Sequence, residues 1–215
     1  MEERLNVSRL RQAITMTPFV QVAVIVELGL AVVAFGMGWP LGIDPWSALK
    51  LDGQGILIGI ASTAPMVLLL VFSDRDEFPA MNRIRRLLEQ FLLPPLRGRP
   101  WWELTLIAGA AGVGEETLFR GLLQEALLGS LGVWPALAIA SIIFGMLHAL
   151  TPTYAILATV IGAYLGVLFV ITGNLLVPIV AHGLYDLIAL IYFLRTSPED
   201  TIGLSESTPK EKTPS

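Results

Sequence analysis

The 215-residue chain contains no cysteine, which excludes disulfide frameworks, thiolate metal sites and cysteine nucleophiles. Charge is also scarce: 15% of residues are charged and 54% are hydrophobic, whereas a soluble domain carries about 25% charged residues. A soluble fold is therefore not expected. The formal net charge is -4, with four of the 18 acidic residues after Ser197, and nothing in this balance points to nucleic acid as a partner. Histidine occurs only twice, at His148 and His182.

What the chain does have is apolar length. Runs near Val20 to Trp39, Gln54 to Phe72, Trp102 to Leu128, Val133 to Leu150, Tyr154 to Ile171 and Leu175 to Leu194 could each cross a hydrocarbon core of roughly 30 Å. The expected fold is all-α, a polytopic transmembrane helix bundle of about six spans in a single domain over residues 1–195. The third run is long and interrupted by charge, so it is the place for an extra or broken helix. The first run follows Arg4, Arg9 and Arg11 in the manner of a signal peptide. It is nonetheless as long as a full span and has no clear small-residue cleavage site, so a retained helix is expected.

Arg75, Arg83, Arg85, Arg86, Arg97 and Arg99 lie between the second and third runs, whereas Leu41 to Gly53 offers Lys50 with Asp44 and Asp52. The positive-inside rule makes the arginine loop cytoplasmic, and six spans then put both termini there too. Within that loop, Met81 to Leu93 mixes apolar and basic residues as a helix lying in the headgroup layer does. The tail, 196–215, has too little apolar content to fold and is expected to be disordered and cytoplasmic. Asn6-Val7-Ser8 matches a glycosylation sequon, which would go unused on that side of the membrane.

Charge in the middle of a span costs at least about 2.5 to 3.5 kcal/mol per group, so it must be paired or used. Within GVGEETLFRGLLQE, Glu116 and Arg120 are four residues apart and share a helical face. Glu115 points about 100° away and has no partner on its own helix. His148 follows Phe144 by four residues, and His182 precedes Asp186 by four, so each pair also shares a face. One buried histidine is ordinarily an interhelical hydrogen bond. Two of them, with an unpaired glutamate, point to a site. Small residues (Gly109, Ala110, Ala111, Gly112 and Gly114, with Gly162 and Gly166 in the fifth run) allow these helices to approach closely. The glycines do not make a phosphate loop, because no Gly-Lys-Ser/Thr follows. Glu27 stands alone in the first span, and the polar cluster, another helix or a water-filled groove would each accommodate it.

In this order and spacing, Glu115-Glu116-x-x-x-Arg120, Phe144-x-x-x-His148 and His182-x-x-x-Asp186, with Asn174-Leu-Leu-x-Pro178-Ile before the last, resemble the CPBP intramembrane proteases. That family includes type II CAAX prenyl endopeptidases and bacteriocin-processing or immunity proteins. The likeness covers roughly 101–194, the motif-bearing core, and leaves the first two spans out.

The resemblance implies a membrane protease that hydrolyses a peptide bond of a membrane-associated protein or peptide with activated water, in a bacterial plasma membrane. Glu115 is then the candidate general base, and His148 orients the same water. Glu116 with Arg120 is the structural pair, and His182 with Asp186 faces the scissile carbonyl. One common form of the family ends this last motif in asparagine. An ionised aspartate cannot donate a hydrogen bond, so Asp186 is expected to orient His182.

No cofactor is expected, although Glu115, His148 and His182 would also make a zinc set with an open position for water. The zincin signature His-Glu-x-x-His is absent. Two other functions use the same residues: a proton-coupled carrier or channel through Glu27, Glu115 and the histidines, and a non-catalytic immunity or scaffold protein. The six runs show no inverted repeat, which counts against a carrier.

Overall fold

The computed structural model describes residues 16–74 and 79–197. The sequon, the first three arginines, Arg75 and the tail from 198 onward lie outside those residues. The described chain is helical throughout, with no strand, and it forms a polytopic helical bundle. Its elements are α1 (Pro18–Leu41), α2 (Gly53–Ser73), α3 (Pro79–Leu87), α4 (Trp101–Glu116), α5 (Glu125–Leu131), α6 (Val133–Leu147), α7 (Pro152–Thr172) and α8 (Leu176–Thr196). A π-helical turn, Leu88–Leu92, continues α3, and a π-helical segment, Thr117–Gln124, joins α4 to α5.

Local chemistry sets the helix ends. Asp52 caps α2 by accepting the Gly55 N–H at 2.6 Å, and Thr151 caps α7 by accepting the Tyr154 N–H at 3.1 Å. Proline opens α1 and α7, where its missing N–H is of no consequence. Gly42 and Gly173 stop the same two helices in the left-handed conformation, at φ 67° and 55°.

Helices α1, α2, α7 and α8 are each long and apolar enough to cross a membrane among the described residues. Their outer faces carry large apolar side chains such as Val22, Ile25, Val32, Leu57 and Ile171, which is the arrangement of a protein solvated by lipid. This is an integral membrane protein. The third run is one helical path from Trp101 to Leu131, interrupted by the π-helical segment, so the break expected there is a local widening of the helix.

The fourth run differs from expectation. Helix α6 ends at Leu147, and a short turn leads into the Thr151 cap and Pro152 of α7. A helix of 15 residues rises about 21 Å, too little for a full crossing. Apolar composition continues to Leu150, but Thr151-Pro152 starts a new helix and pushes the preceding residues out of the helical region.

The bundle is built around α4 and α8, which pack on each other; α1 lies against α4, α2 against α8, and α6 against α7. Met66, Leu165, Leu168, Val177 and Ala181 join α2, α7 and α8 in one apolar cluster. Val20, Leu96 and Leu104 tie the start of α1 to the arginine loop and α4.

The connections sort into two ends. Asn174 holds the 42–52 connection at one end: its amide donates to the Lys50 carbonyl at 3.1 Å and to Asp52 at 3.0 Å, and its oxygen accepts the Lys50 N–H. At the other end Arg85 of α3 donates to Asp74 at 2.8 Å and to the Thr196 carbonyl at 2.7 Å. Val20 lies at this end too, so both ends of the described chain sit on the side of the arginine loop.

Candidate active site

Glu116 and Arg120 form the expected pair, at 2.8 Å and with almost no exposure of either side chain. The π-helical segment has about 4.4 residues per turn, so Arg120 and Gln124 both turn toward α7. Arg120 donates to the Gly162 carbonyl at 2.6 Å, and Gln124 reaches the Gly166 carbonyl at 3.5 Å. Those two glycines therefore do more than allow close packing. Their bare backbones accept hydrogen bonds from the motif helix.

Glu116 also accepts from His182. The ring Nδ1 lies 2.7 Å from Glu116 Oε1, the same oxygen that receives Arg120. This triad fixes the His182 ring and directs Nε2 to the other side, where Glu115 is 3.9 Å away and Asp186 3.5 Å away. His148 caps the end of α6, its Nδ1 donating to the Phe144 carbonyl at 2.8 Å. That bond leaves Nε2 facing Glu115 at 3.5 Å. Glu115 lacks a partner on its own helix, and two histidines from two other helices converge on it.

Phe144 is the platform of the cluster. It stacks on His148 with ring centroids 4.3 Å apart, meets His182 edge-on at 5.9 Å, and lies 5.0 Å from the Arg120 guanidinium. The early end of α6 explains how His148 arrives here. Glu115 is 14 residues beyond Trp101, about 21 Å along α4, and α6 descends only far enough to stop at that depth.

Glu115 and Asp186 line a cavity of about 350 Å³ that also touches Glu27, Tyr154 and Tyr185, and that reaches Asp74 and Arg85 at the arginine-loop end. Its walls are mostly apolar, including Met81, Ile84 and Leu88 from α3 and its continuation. Glu116 and His182 lie behind this surface, and His148 stands at its side, 27% exposed. The expected residues are thus one contact cluster, of which two face the cavity.

Among the described residues, no group of three or more histidine, aspartate or glutamate side chains is spaced to hold a metal ion.

Some contacts were not foreseen. The Trp46 indole N–H donates to Thr117 Oγ1 at 2.9 Å, so the 42–52 connection folds onto the start of the π-helical segment. Glu27 joins the site through the cavity. The only hint in the sequence was a carboxylate alone in a span.

The segment that carries these residues has a family counterpart. Residues 97–188 match the family model of the Rce1-like, type II CAAX prenyl endopeptidases. The match takes in Glu115, Glu116, Arg120, Phe144, His148, His182 and Asp186, and it bears out the resemblance carried by their spacing. The Rce1-like family is one of proteases, which supports peptidase activity in general. No curated protein and no solved structure matches the chain. Helices α1 and α2 lie outside the Rce1-like match, so α1 brings its own residue, Glu27, to the cavity.

Proposed function

We propose that the protein is an intramembrane endopeptidase that hydrolyses a peptide bond of a membrane-associated protein or peptide with a water activated by Glu115. The observation that carries this reading is Glu115 itself: a carboxylate 7% exposed, at the wall of a cavity, with His148 Nε2 at 3.5 Å and His182 Nε2 at 3.9 Å.

A water held between Glu115 and His148 Nε2 loses a proton to the carboxylate as its oxygen attacks the scissile carbonyl. His182 donates from Nε2 to the oxygen of the tetrahedral intermediate, where negative charge develops. Glu116 and Asp186 hold its ring in that orientation, so Asp186 acts through His182. Glu115 then returns its proton to the leaving amine, and the C–N bond breaks. Arg120 keeps Glu116 in place and touches no substrate. The chemistry needs a site sheltered from lipid and open to water, and the cavity between Glu115 and the Asp74–Arg85 end is the route this reading assigns to that water.

The orientation proposed is that the arginine loop and both termini are cytoplasmic, so substrate enters from the cytoplasmic leaflet. The test is cleavage of a membrane-peptide library by purified wild-type protein, by Glu115→Gln and by wild type treated with a chelator. Cleavage by wild type with and without chelator, and none by Glu115→Gln, is expected. Cleavage by Glu115→Gln at the wild-type rate would reject the assignment of the base. Loss to the chelator with rescue by zinc would move the mechanism to a metal held by Glu115, His148 and His182.

A further inference from the structure

The matched segment accounts for Glu115 and Asp186 at the cavity wall but not for Asp74 and Glu27, the other two carboxylates that line it, and Asp74 is paired with Arg85 at 2.8 Å. Helix α1 is fixed at this level by an unusually close approach. A Cβ on Gly114 would collide with the carbonyl of Glu27, so α1 and α4 touch backbone to backbone one residue before Glu115. Glu27 is held beside the base by packing and does not depend on a loop.

The charge environment of Glu27 differs from that of the other carboxylates in the lining. Glu115 has two histidines within 4 Å, and Asp186 has His182. Among the described residues Glu27 makes no ion pair, and its Oε2 is buried with no hydrogen-bond partner. The cavity is lined by apolar side chains such as Phe19, Ala23, Leu157 and Leu190, and the hydroxyls of Tyr154 and Tyr185, which line it too, make no hydrogen bond to Glu27 Oε2. A carboxylate in an apolar cavity is costly unless a charge or donor meets it.

Resting on the peptidase reading above, we infer that Glu27 is a specificity-determining residue that receives a cationic side chain of the substrate, ammonium or guanidinium, beside the scissile bond. An apolar peptide segment fits the walls, and one basic residue within it matches the one uncompensated carboxylate. A substrate carboxylate in the same place would face Glu27, Glu115 and Asp186 together and be rejected.

The experiment uses the full-length protein in detergent and a membrane-soluble peptide series carrying Lys, norleucine or Glu at each position in turn. Wild type should cleave the best Lys peptide with kcat/KM about tenfold above its norleucine counterpart, a difference of one ordinary ion contact. Glu27→Gln should remove that preference, and Glu27→Lys should transfer it to the Glu peptide. Equal preference for Lys in wild type and Glu27→Gln, or no preference in wild type, would overturn the inference. Binding of the same labelled peptides to Glu115→Gln, read by fluorescence anisotropy, separates this result from the peptidase reading. A Lys preference in binding that is lost on adding Glu27→Gln supports the role of Glu27 even if wild type cleaves nothing. Cleavage without any such preference supports the peptidase and rejects the role of Glu27.

Discussion

Glu115 and Glu116 are adjacent in the chain and have different partners, because one helical residue turns about 100° from the next. Glu116 accepts from Arg120 and His182 and is fully buried, whereas Glu115 looks into the cavity. Removing Arg120 would leave the Glu116 carboxylate without its fixed cation and free the Gly162 carbonyl, so Arg120→Ala should destabilise the protein by about 3–5 kcal/mol. Glu115→Gln keeps size and shape, so it should abolish cleavage while melting near the wild-type temperature. Thermal unfolding in detergent beside the peptide assay checks both, and equal melting of the two variants would mean that the roles are wrongly divided. The Glu116–Arg120 pair was legible in the sequence, because i,i+4 spacing states a shared face. The bond from Glu116 to His182 was not, since spacing along one helix says nothing about which residue of another helix will stand opposite.

At the scale of the helices, most boundaries follow the apolar runs closely, because a run that must satisfy its own backbone in lipid has no alternative to a helix. Two features escaped. The π-helical segment Thr117–Gln124 leaves no mark in hydropathy, yet it aims Arg120 and Gln124 at the carbonyls of α7. The early end of α6 was hidden because apolar residues continue past it to Leu150, although the Thr151-Pro152 signal was present in the sequence. Close helix contacts were readable only as a wealth of glycine, without saying which glycine matters. The structure separates them. A Cβ at Gly114 meets the Glu27 carbonyl, whereas a Cβ at Gly109 meets nothing within 4 Å. Gly114→Ala should therefore push α1 from α4 and lower folded yield, whereas Gly109→Ala should be neutral or stabilising by up to about 1 kcal/mol, since alanine favours helix. Yield and melting temperature of the two single variants test this, and a Gly114→Ala protein as stable as wild type would contradict the backbone contact.

Across the whole molecule, the arrangement of ends and the position of the cavity make one joint prediction. Arg85, Asp74, Tyr192 and Thr196 are bonded together at one end, and Asn174, Lys50 and Asp52 at the other. The cavity runs from the first group to Glu115 and Asp186. If six arginines between α2 and α4 keep that end cytoplasmic, water and reagents from the cytoplasm reach the base, and those from the opposite side do not. The chain has no cysteine, so single cysteines report without background. In sealed vesicles of known orientation, cysteines at positions 83 and 115 should react with a small membrane-impermeant thiol reagent from the cytoplasmic side, and a cysteine at position 50 only from the other. A cysteine at position 32, on the lipid-facing surface of α1, should react from neither. Labelling of 83 and 115 from the side that labels 50 would reject the topology, because the two ends would no longer be separated by the bilayer. Labelling of 83 but not 115 from the cytoplasm would keep the topology and reject the cavity as the route by which water and substrate reach Glu115.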